Sequence, residues 1–539
     1  MLAVVLVGLL PLMSPLGAFT SDEGAYALQV ASLERGGWEY DYRAAPYDPD
    51  GRHFPLVLSD RSGDRFFPYV KHPAYPLLLQ RASSVLGRTV GLHVLLVAAA
   101  LATAGAAWLL AAELDPRRSR LAFWLAAGSS VAANAYLLWA HALSAAVAGL
   151  SLVAAVRVAR TGLRSWATPA LAAGLGAGVL LRSEGLLFAG AVALVLGWLR
   201  LRQSGTASAL AAATAAGAPA VVAAALEQRW IRSVVGGPVQ GLSLREGDAT
   251  SYLGGRVQGV WHELLQGAYE DRRASTLALV ALFAVVGLAW IALRRGDRHW
   301  PRRLAVACGL AGLALVARWA LVPDDPIPGF LTAWPVALLG LMLVRWRGSA
   351  VAVRALGAVG VLFAVAVLAT QYPEGGGLEW GGRFLSPLVV PVAVLAALGL
   401  ATRLDQLPAT PGRALGVASL AGVAVVTAVV GLATVASGRL VHDRLVTAVT
   451  RHPADVTVTT VDALPRLAWR ADDRFTWMRA SAGELPGLLA RLRSGGVERV
   501  SVVTSSSVRL QAVSPYPRVT VLDEPDVIRR GGQLAVLAG

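Results

Sequence analysis

One lysine, Lys71, stands among 49 basic residues, the rest being arginine. Cysteine is equally scarce. Cys308 is alone and lies inside an apolar run, so an intrachain disulfide is excluded and the redox compartment cannot be read. Charge is sparse too: 15% of 539 residues are charged and 55% are hydrophobic, with mean hydropathy +0.56. Soluble domains carry roughly 25% charged residues, so a soluble globular protein is excluded and a polytopic membrane protein is expected. No basic residue precedes the first apolar run, 1 to about 19, so the positive leader of a cleaved signal peptide is missing. A retained first span is expected, which also fits a start codon assigned slightly late. There is no repeat of solenoid period and no His, Cys, Asp and Glu spacing of the kind that holds a metal. The excess of arginine with abundant Ala, Gly and Val reflects a GC-rich coding bias and says nothing of function.

What is present is a series of runs long enough to span, about 17–25 residues each. After the first they recur near 86–112, 166–181, 184–200, 208–226, 276–293, 303–322, 327–344, 350–369, 386–402 and 413–436. The stretch 121–156 is too long for one span and carries Ser129, Ser130, Asn134 and His141 at its middle, so it reads as two helices meeting at a tip near 134–141. The total is about thirteen spans, predicting an all-α membrane protein of residues 1–436. Every second connection is short and Arg-rich: 117–120, 157–164, 200–202, 294–303, 345–354 and 403–413. By the positive-inside rule these are cytoplasmic. The net charge of +15 is therefore largely topological, and nucleic acid is excluded as a partner. The alternate connections hold the long loops, 20–85, 227–275 and 370–385, on the other side. An odd number of spans puts 437–539 on that side as well. Short strands near 456–461, 499–503 and 519–522, and a capping box from Ser481 to Glu484 opening a helix at 485–492, read as a small extracytoplasmic α/β domain.

Topology gathers the unusual polar residues at one outer face. Asp22 and Glu23 follow the first span, and Lys71, His72 and Tyr75 close the first outer loop. Asn134 and His141 lie at the tip of the helical pair, and Arg182 and Glu184 form an outer turn. Glu374, Glu379, Trp380 and Arg383 occupy the last outer loop. Each alone has a bland reading: an interfacial stop signal for Asp22 and Glu23, a helix cap for His141, mutual pairing for Arg182 and Glu184, a headgroup anchor for Arg383. Their joint depth favours chemistry. Group transfer from a lipid phosphate fits, because cations take up the charge on a departing phosphate. Phosphate leaves without a general acid, whereas an acceptor hydroxyl needs a base, ordinarily a carboxylate. One base opposite one leaving group implies a single displacement with inversion, by analogy with inverting glycosidases. Trp38, Tyr40, Tyr69, Tyr75 and Trp380 are candidate sugar platforms, although interface aromatics are commonly plain belt residues.

The strings Ser21-Asp22-Glu23-Gly24-Ala25-Tyr26 and Lys71-His72-Pro73-Ala74-Tyr75-Pro76-Leu77-Leu78 resemble the C-type (GT-C) fold of glycosyltransferases. The branch is that of protein O-mannosyltransferases and lipid A aminoarabinose transferases. Arg182-Ser183-Glu184-Gly185 resembles the Arg-Pro-Glu-like turn of bacterial members, and Trp380-Gly381-Gly382-Arg383-Phe384-Leu385-Ser386-Pro387 their late outer-loop motif. Ser183, Ser386 and His72 depart from that pattern. The resemblance spans roughly 1–440 and leaves the C-terminal domain uncovered. It implies a polyprenyl-phosphate sugar as donor, a glycan, lipid or protein hydroxyl as acceptor, and a bacterial plasma membrane as the site of action. It further implies Asp22 as base with Glu23 as its orienting neighbour. Lys71, Arg182 and Arg383 become candidate contacts to the donor phosphate. His72, Tyr75, His141, Glu184, Glu379 and Trp380 are taken as substrate contacts. No cofactor and no metal are expected.

Two other readings belong to different classes. A lipid-linked saccharide flippase or polysaccharide exporter should carry ionisable residues at mid-bilayer depth and broken helices in corresponding halves. Here they gather at the outer ends. A degenerate scaffold on the same fold would lack the triad Asp22, Lys71 and Arg383, which is intact.

Overall fold

Hydrocarbon offers a backbone amide no partner, so an apolar chain of this length crosses as helices. The computed structural model describes residues 1–13, 18–55, 60–62, 64–69, 71–234, 249–265, 272–321, 329–370, 381–451, 454–461, 464–469, 476–505, 520–522 and 534–538. Among them, eight helices are long and apolar enough to cross a membrane: Val90–Leu114, His141–Thr161, Glu184–Ser204, Thr206–Val234, Trp300–Ala320, Val351–Thr370, Arg383–Gln406 and Arg413–Arg444. Ala167–Leu181 is apolar but only 15 residues long. The 121–156 stretch divides as its polar middle suggests: Ser119–Ala127 and Ser130–Asn134 lead into a buried turn, from which His141–Thr161 departs. The run at 327–344 is helical over Pro335–Met342 alone. The first apolar run contains two short helices, Leu2–Gly8 and Leu10–Met13.

The Arg-rich connections meet at one end of the bundle. Arg157 and Arg160 share Glu113 at 2.7 and 3.0 Å, Arg118 pairs with Asp405, and Arg403 donates to the Leu293 and Arg294 carbonyls at 2.7 and 2.6 Å. The other end carries the loop of 20–85 and the C-terminal sheet. The last long helix, Arg413–Thr450, has 38 residues and passes residue 437 without a break. At about 1.5 Å per residue it outruns a hydrocarbon core of about 30 Å, carrying Arg439 and His442 to that end.

In the 20–85 loop, β1 (Tyr40–Asp41), β2 (Asp60–Ser62) and β3 (Arg65–Phe67) form an antiparallel sheet ordered β1-β3-β2. The C-terminal sheet contains β4 (Val456–Thr459), β5 (Trp477–Arg479), β6 (Val500–Ser505), β7 (Thr520–Leu522) and β8 (Leu534–Ala538), ordered β5-β4-β6-β8-β7. β4 runs parallel to β5 and β6, and β8 antiparallel to β6 and β7. Helix Leu485–Ser494 links β5 to β6, preceded by the Ser481–Glu484 pair, whose Ser481 N–H and Oγ donate to Glu484 at 2.9 and 2.7 Å. β5 and β8 have no counterpart in the sequence reading.

Helix Ser21–Glu34 lies between the two halves of the molecule. Tyr26, Ala27 and Val30 belong to the core of the bundle. Leu28 and Ala31 belong to a second core with Tyr40, Phe66, Val458, Met478 and Leu485. Gly24 permits the closest approach: a Cβ there would lie 1.8 Å from the Arg466 carbonyl oxygen. The loop of 20–85 and the C-terminal sheet therefore share one hydrophobic interior.

Candidate active site

Thr20 has extended backbone and opens the Ser21–Glu34 helix. Asp22, Tyr26 and Gln29 are spaced to share one face of that helix, whereas Glu23 is rotated by about 100°. The two carboxylates consequently face different surroundings. One Glu23 oxygen accepts the N–H groups of Phe19 and Thr20 at 2.6 and 3.2 Å. The other accepts the Leu138 N–H at 3.0 Å and Arg439 Nη2 at 2.5 Å. Arg439 also donates to the carbonyls of Tyr136, at 2.6 Å, and Met13. Glu23 is 1% exposed and every one of these donors is a fixed part of the fold, so its carboxylate ties the Ser21–Glu34 helix to the 135–140 turn and the last long helix.

Asp22 faces arginines instead. Its Oδ2 accepts Arg383 Nη1 at 2.8 Å, and its Oδ1 lies 3.8 Å from Arg466 Nη1. Burial pushes the Asp22 carboxyl upward, but the Arg383 and Arg466 charges, the Arg383 hydrogen bond and the Arg182 charge outweigh it, leaving it below its ordinary value. Arg383 is delivered by Gly381 and Gly382, at φ +84° and +65°. Side chains at these two positions would strike Ser130 and the Glu263 carbonyl, at 2.5 and 2.3 Å, so the turn threads a gap that only glycine fits. Beside it, Arg182 caps the Ala167–Leu181 helix and grips Glu184 with two hydrogen bonds, 3.1 and 2.7 Å. The Phe384 ring lies 4.8 Å from the Arg383 guanidinium and 6.0 Å from that of Arg182. His141 opens its helix 5.0 Å from the Trp139 ring. Trp139 Nε1 donates to Thr20 Oγ1 at 3.1 Å, fixing this turn against the Asp22 helix.

A tyrosine layer backs the site. Tyr26 donates to the Tyr69 hydroxyl at 3.0 Å and meets Tyr75 edge to face at 5.0 Å. Tyr75 is 1% exposed, beneath Tyr26 and away from solvent. Gln29, fully buried, holds both ends of the loop by donating to the Trp38 carbonyl at 2.9 Å and accepting the Tyr69 N–H at 3.1 Å. Trp38 meets Trp230 edge to face at 4.6 Å, and Tyr40 lies in the second core.

His72 adopts φ +52°, a conformation costing a non-glycine residue about 1–3 kcal/mol. Glu227 offsets this: its Oε1 accepts the His72 N–H at 2.8 Å and lies 2.9 Å from the ring Nδ1. Lys71, half-buried, precedes His72 at the threshold of the Ala74–Leu86 helix. Asp22, Arg383, Arg182 and Glu184 thus form one chain of neighbours around the Phe384 ring, and His72 pairs with Glu227, while Glu23 faces the interior and Tyr75 the layer behind. Glu374, Glu379 and Trp380 lie outside the described residues. Among the described residues, no group of three or more His, Cys, Asp or Glu side chains is gathered for a metal ion.

Four participants escape sequence reading: Arg439, Arg466, Glu227 and Tyr26. Arg439 follows an apolar run and reads as a headgroup anchor. Glu227 ends another such run. Arg466 lies beyond the resembling region. Tyr26 could have been found from its helical spacing to Asp22.

No family model matches the sequence, and no curated protein matches it by sequence. By structure the chain is similar to ArnT from Cupriavidus metallidurans, solved with undecaprenyl phosphate, at 14% identity and TM-score 0.49, covering 100% of this chain and 97% of that one. It is also similar to the oligosaccharyltransferase AglB from Archaeoglobus fulgidus, solved with an inhibitory peptide and a dolichol-phosphate, at 13% identity, TM-score 0.45 and coverage of 94% and 69%. A third is the arabinosyltransferase EmbB from Mycobacterium smegmatis, at 17% identity, TM-score 0.34 and coverage of 87% and 42%.

Proposed function

We propose that this chain is a membrane glycosyltransferase that moves a sugar from a polyprenyl-phosphate donor to a hydroxyl acceptor, with inversion, at the outer face of a bacterial plasma membrane. The observation that carries the reading is the Asp22 carboxylate between Arg383 and Arg466, with Arg182 on the same Phe384 ring as Arg383. A base and a set of phosphate-binding cations occupy one pocket, as an acceptor hydroxyl and a phosphate leaving group require. Arg182, Glu184, His141 and Arg383 all stand at helix ends, which favours interfacial transfer over passage through mid-bilayer.

In the reaction the acceptor oxygen attacks the anomeric carbon while Asp22 takes the hydroxyl proton. The bond from the anomeric carbon to the phosphate oxygen breaks, and the bonding pair leaves with the polyprenyl phosphate. The departing phosphate gains a negative charge, which Arg383, Arg466 and Arg182 stabilise by charge-assisted hydrogen bonds. Lys71 binds the donor phosphate as a point charge. Glu23, through Arg439 and Leu138, positions the helix that carries Asp22. Residues 1–436 form the transferase domain, and the α/β domain of 437–539 covers the site from the outer side. The reaction needs no metal.

The test is incubation of the purified protein with labelled polyprenyl-phosphate sugars and identification of the labelled product. Asp22→Asn is expected to lower the transfer rate by about 10²–10⁴-fold while the protein still folds and binds donor. Full activity in that variant removes Asp22 as the base.

A further inference from the structure

The resting site sets a problem for its own base. Both Asp22 oxygens face cations: Oδ2 is 2.8 Å from Arg383 and Oδ1 is 3.8 Å from Arg466. A carboxylate held this way accepts a proton poorly, and its downward shift follows from the same contacts. The two arginines arrive on segments far apart in sequence, one from the glycine turn before the Arg383–Leu388 helix and one from Leu464–Leu467 in the C-terminal domain. Their side chains are 17% and 9% exposed. Charges so deeply buried need an anion beside them in every state of the protein, because desolvation without one is expensive.

On the donor reading above, we propose that Asp22 and the donor phosphate compete for the same two guanidiniums, so that donor binding itself releases Asp22 to act as base. The planar guanidinium fork matches phosphate oxygens in pairs, a better geometry than its single hydrogen bond to Asp22. An arriving phosphodiester therefore draws Arg383 and Arg466 away and leaves Asp22 with fewer cations. Its proton affinity rises at the moment an acceptor hydroxyl is needed as nucleophile. After transfer the lipid monophosphate carries one further negative charge and keeps the arginines, while protonated Asp22 needs no partner. When the lipid phosphate departs, the arginines return to Asp22 and its proton passes to solvent. The base is idle without donor. Arg182 stays outside the exchange because Glu184 holds it with two hydrogen bonds.

Competition predicts that removing the carboxylate strengthens phosphate binding. The experiment is calorimetric titration of the full chain in detergent with geranyl phosphate, and with geraniol as the uncharged control. Asp22→Asn, which keeps the side-chain shape, is expected to bind geranyl phosphate about tenfold more tightly than wild type, equivalent to about 1.4 kcal/mol, with geraniol binding unchanged. Equal or weaker binding by a folded Asp22→Asn protein overturns the competition and leaves the donor reading standing. Arg466→Gln supplies a second arm, with affinity for geranyl phosphate expected to fall about tenfold. Unchanged affinity there removes Arg466 from the shared set and overturns the proposal as stated. A wild-type protein that binds geraniol as well as geranyl phosphate removes the donor reading and the competition together.

Discussion

Asp22 and Glu23 are adjacent in sequence, yet a helix separates neighbouring side chains by about 100°. Glu23 meets Arg439 at 6% side-chain exposure, and removing one member of a buried pair costs about 3–5 kcal/mol. Glu23→Gln and Arg439→Leu should each lower the thermal unfolding temperature in detergent substantially, and by more than Asp22→Asn, because the Asp22 side chain is 32% exposed against 1% for Glu23. A reversed ranking in a melting series contradicts this division of roles. Against the upward push of burial, the Arg383 and Arg466 charges hold the Asp22 carboxyl below the ordinary aspartate value of about 3.9, so before donor binds it stays ionised until pH falls past that value. The acid limb of kcat/KM should accordingly lie low. A limb centred above about pH 5 that vanishes in Asp22→Asn would contradict the arginine contacts as the cause of the shift. Lys71→Ala is expected to raise the KM for donor with little change in kcat, and unchanged donor KM counts against its phosphate role.

At the scale of elements, two close approaches set the geometry of the pocket. Gly24 lets the Leu464–Leu467 helix touch the Ser21–Glu34 helix, and Gly381 with Gly382 lets the Arg383 turn pass Ser130 and Glu263. Gly24→Ala introduces a Cβ 1.8 Å from a backbone oxygen, which the helices can relieve only by moving apart. Overpacking of this kind costs about 1–3 kcal/mol. It should also carry Arg466 away from Asp22, so transfer should fall along with the melting temperature. A Gly24→Ala protein of normal activity and stability would mean that this contact does not hold the site together. The glycines were visible as letters in the motifs, but the groups that crowd them most closely come from positions more than a hundred residues away, which no local pattern encodes.

At the scale of the molecule, the C-terminal sheet and the first outer loop share one core: Leu28, Ala31, Tyr40 and Phe66 on one side, Val458, Met478, Leu485 and Leu489 on the other. Truncation after residue 450 should therefore expose the loop's apolar face as well as removing Arg466. The expected result is an aggregating or protease-sensitive protein rather than a trimmed enzyme with altered acceptor choice. A stable, monodisperse truncation by size exclusion would contradict the shared core.

The sequence by itself determined the helical membrane architecture, in which eight of about thirteen expected spans are, among the described residues, helices long and apolar enough to cross. Such helices follow from local quantities, namely run length, arginine spacing and the polar break at 129–141. It also exposed Asp22, Arg182, Glu184, His141 and Arg383 as a set, because ionisable residues beside apolar runs are conspicuous. Tertiary structure alone decided what each one touches. It turned Glu23 inward to Arg439, set Arg383 and Arg466 on Asp22, and brought Glu227 to His72. The physical reason is range: helix formation is written in neighbours a few residues apart, whereas an ion pair between residues 22 and 466 exists only after two cores have closed around one helix.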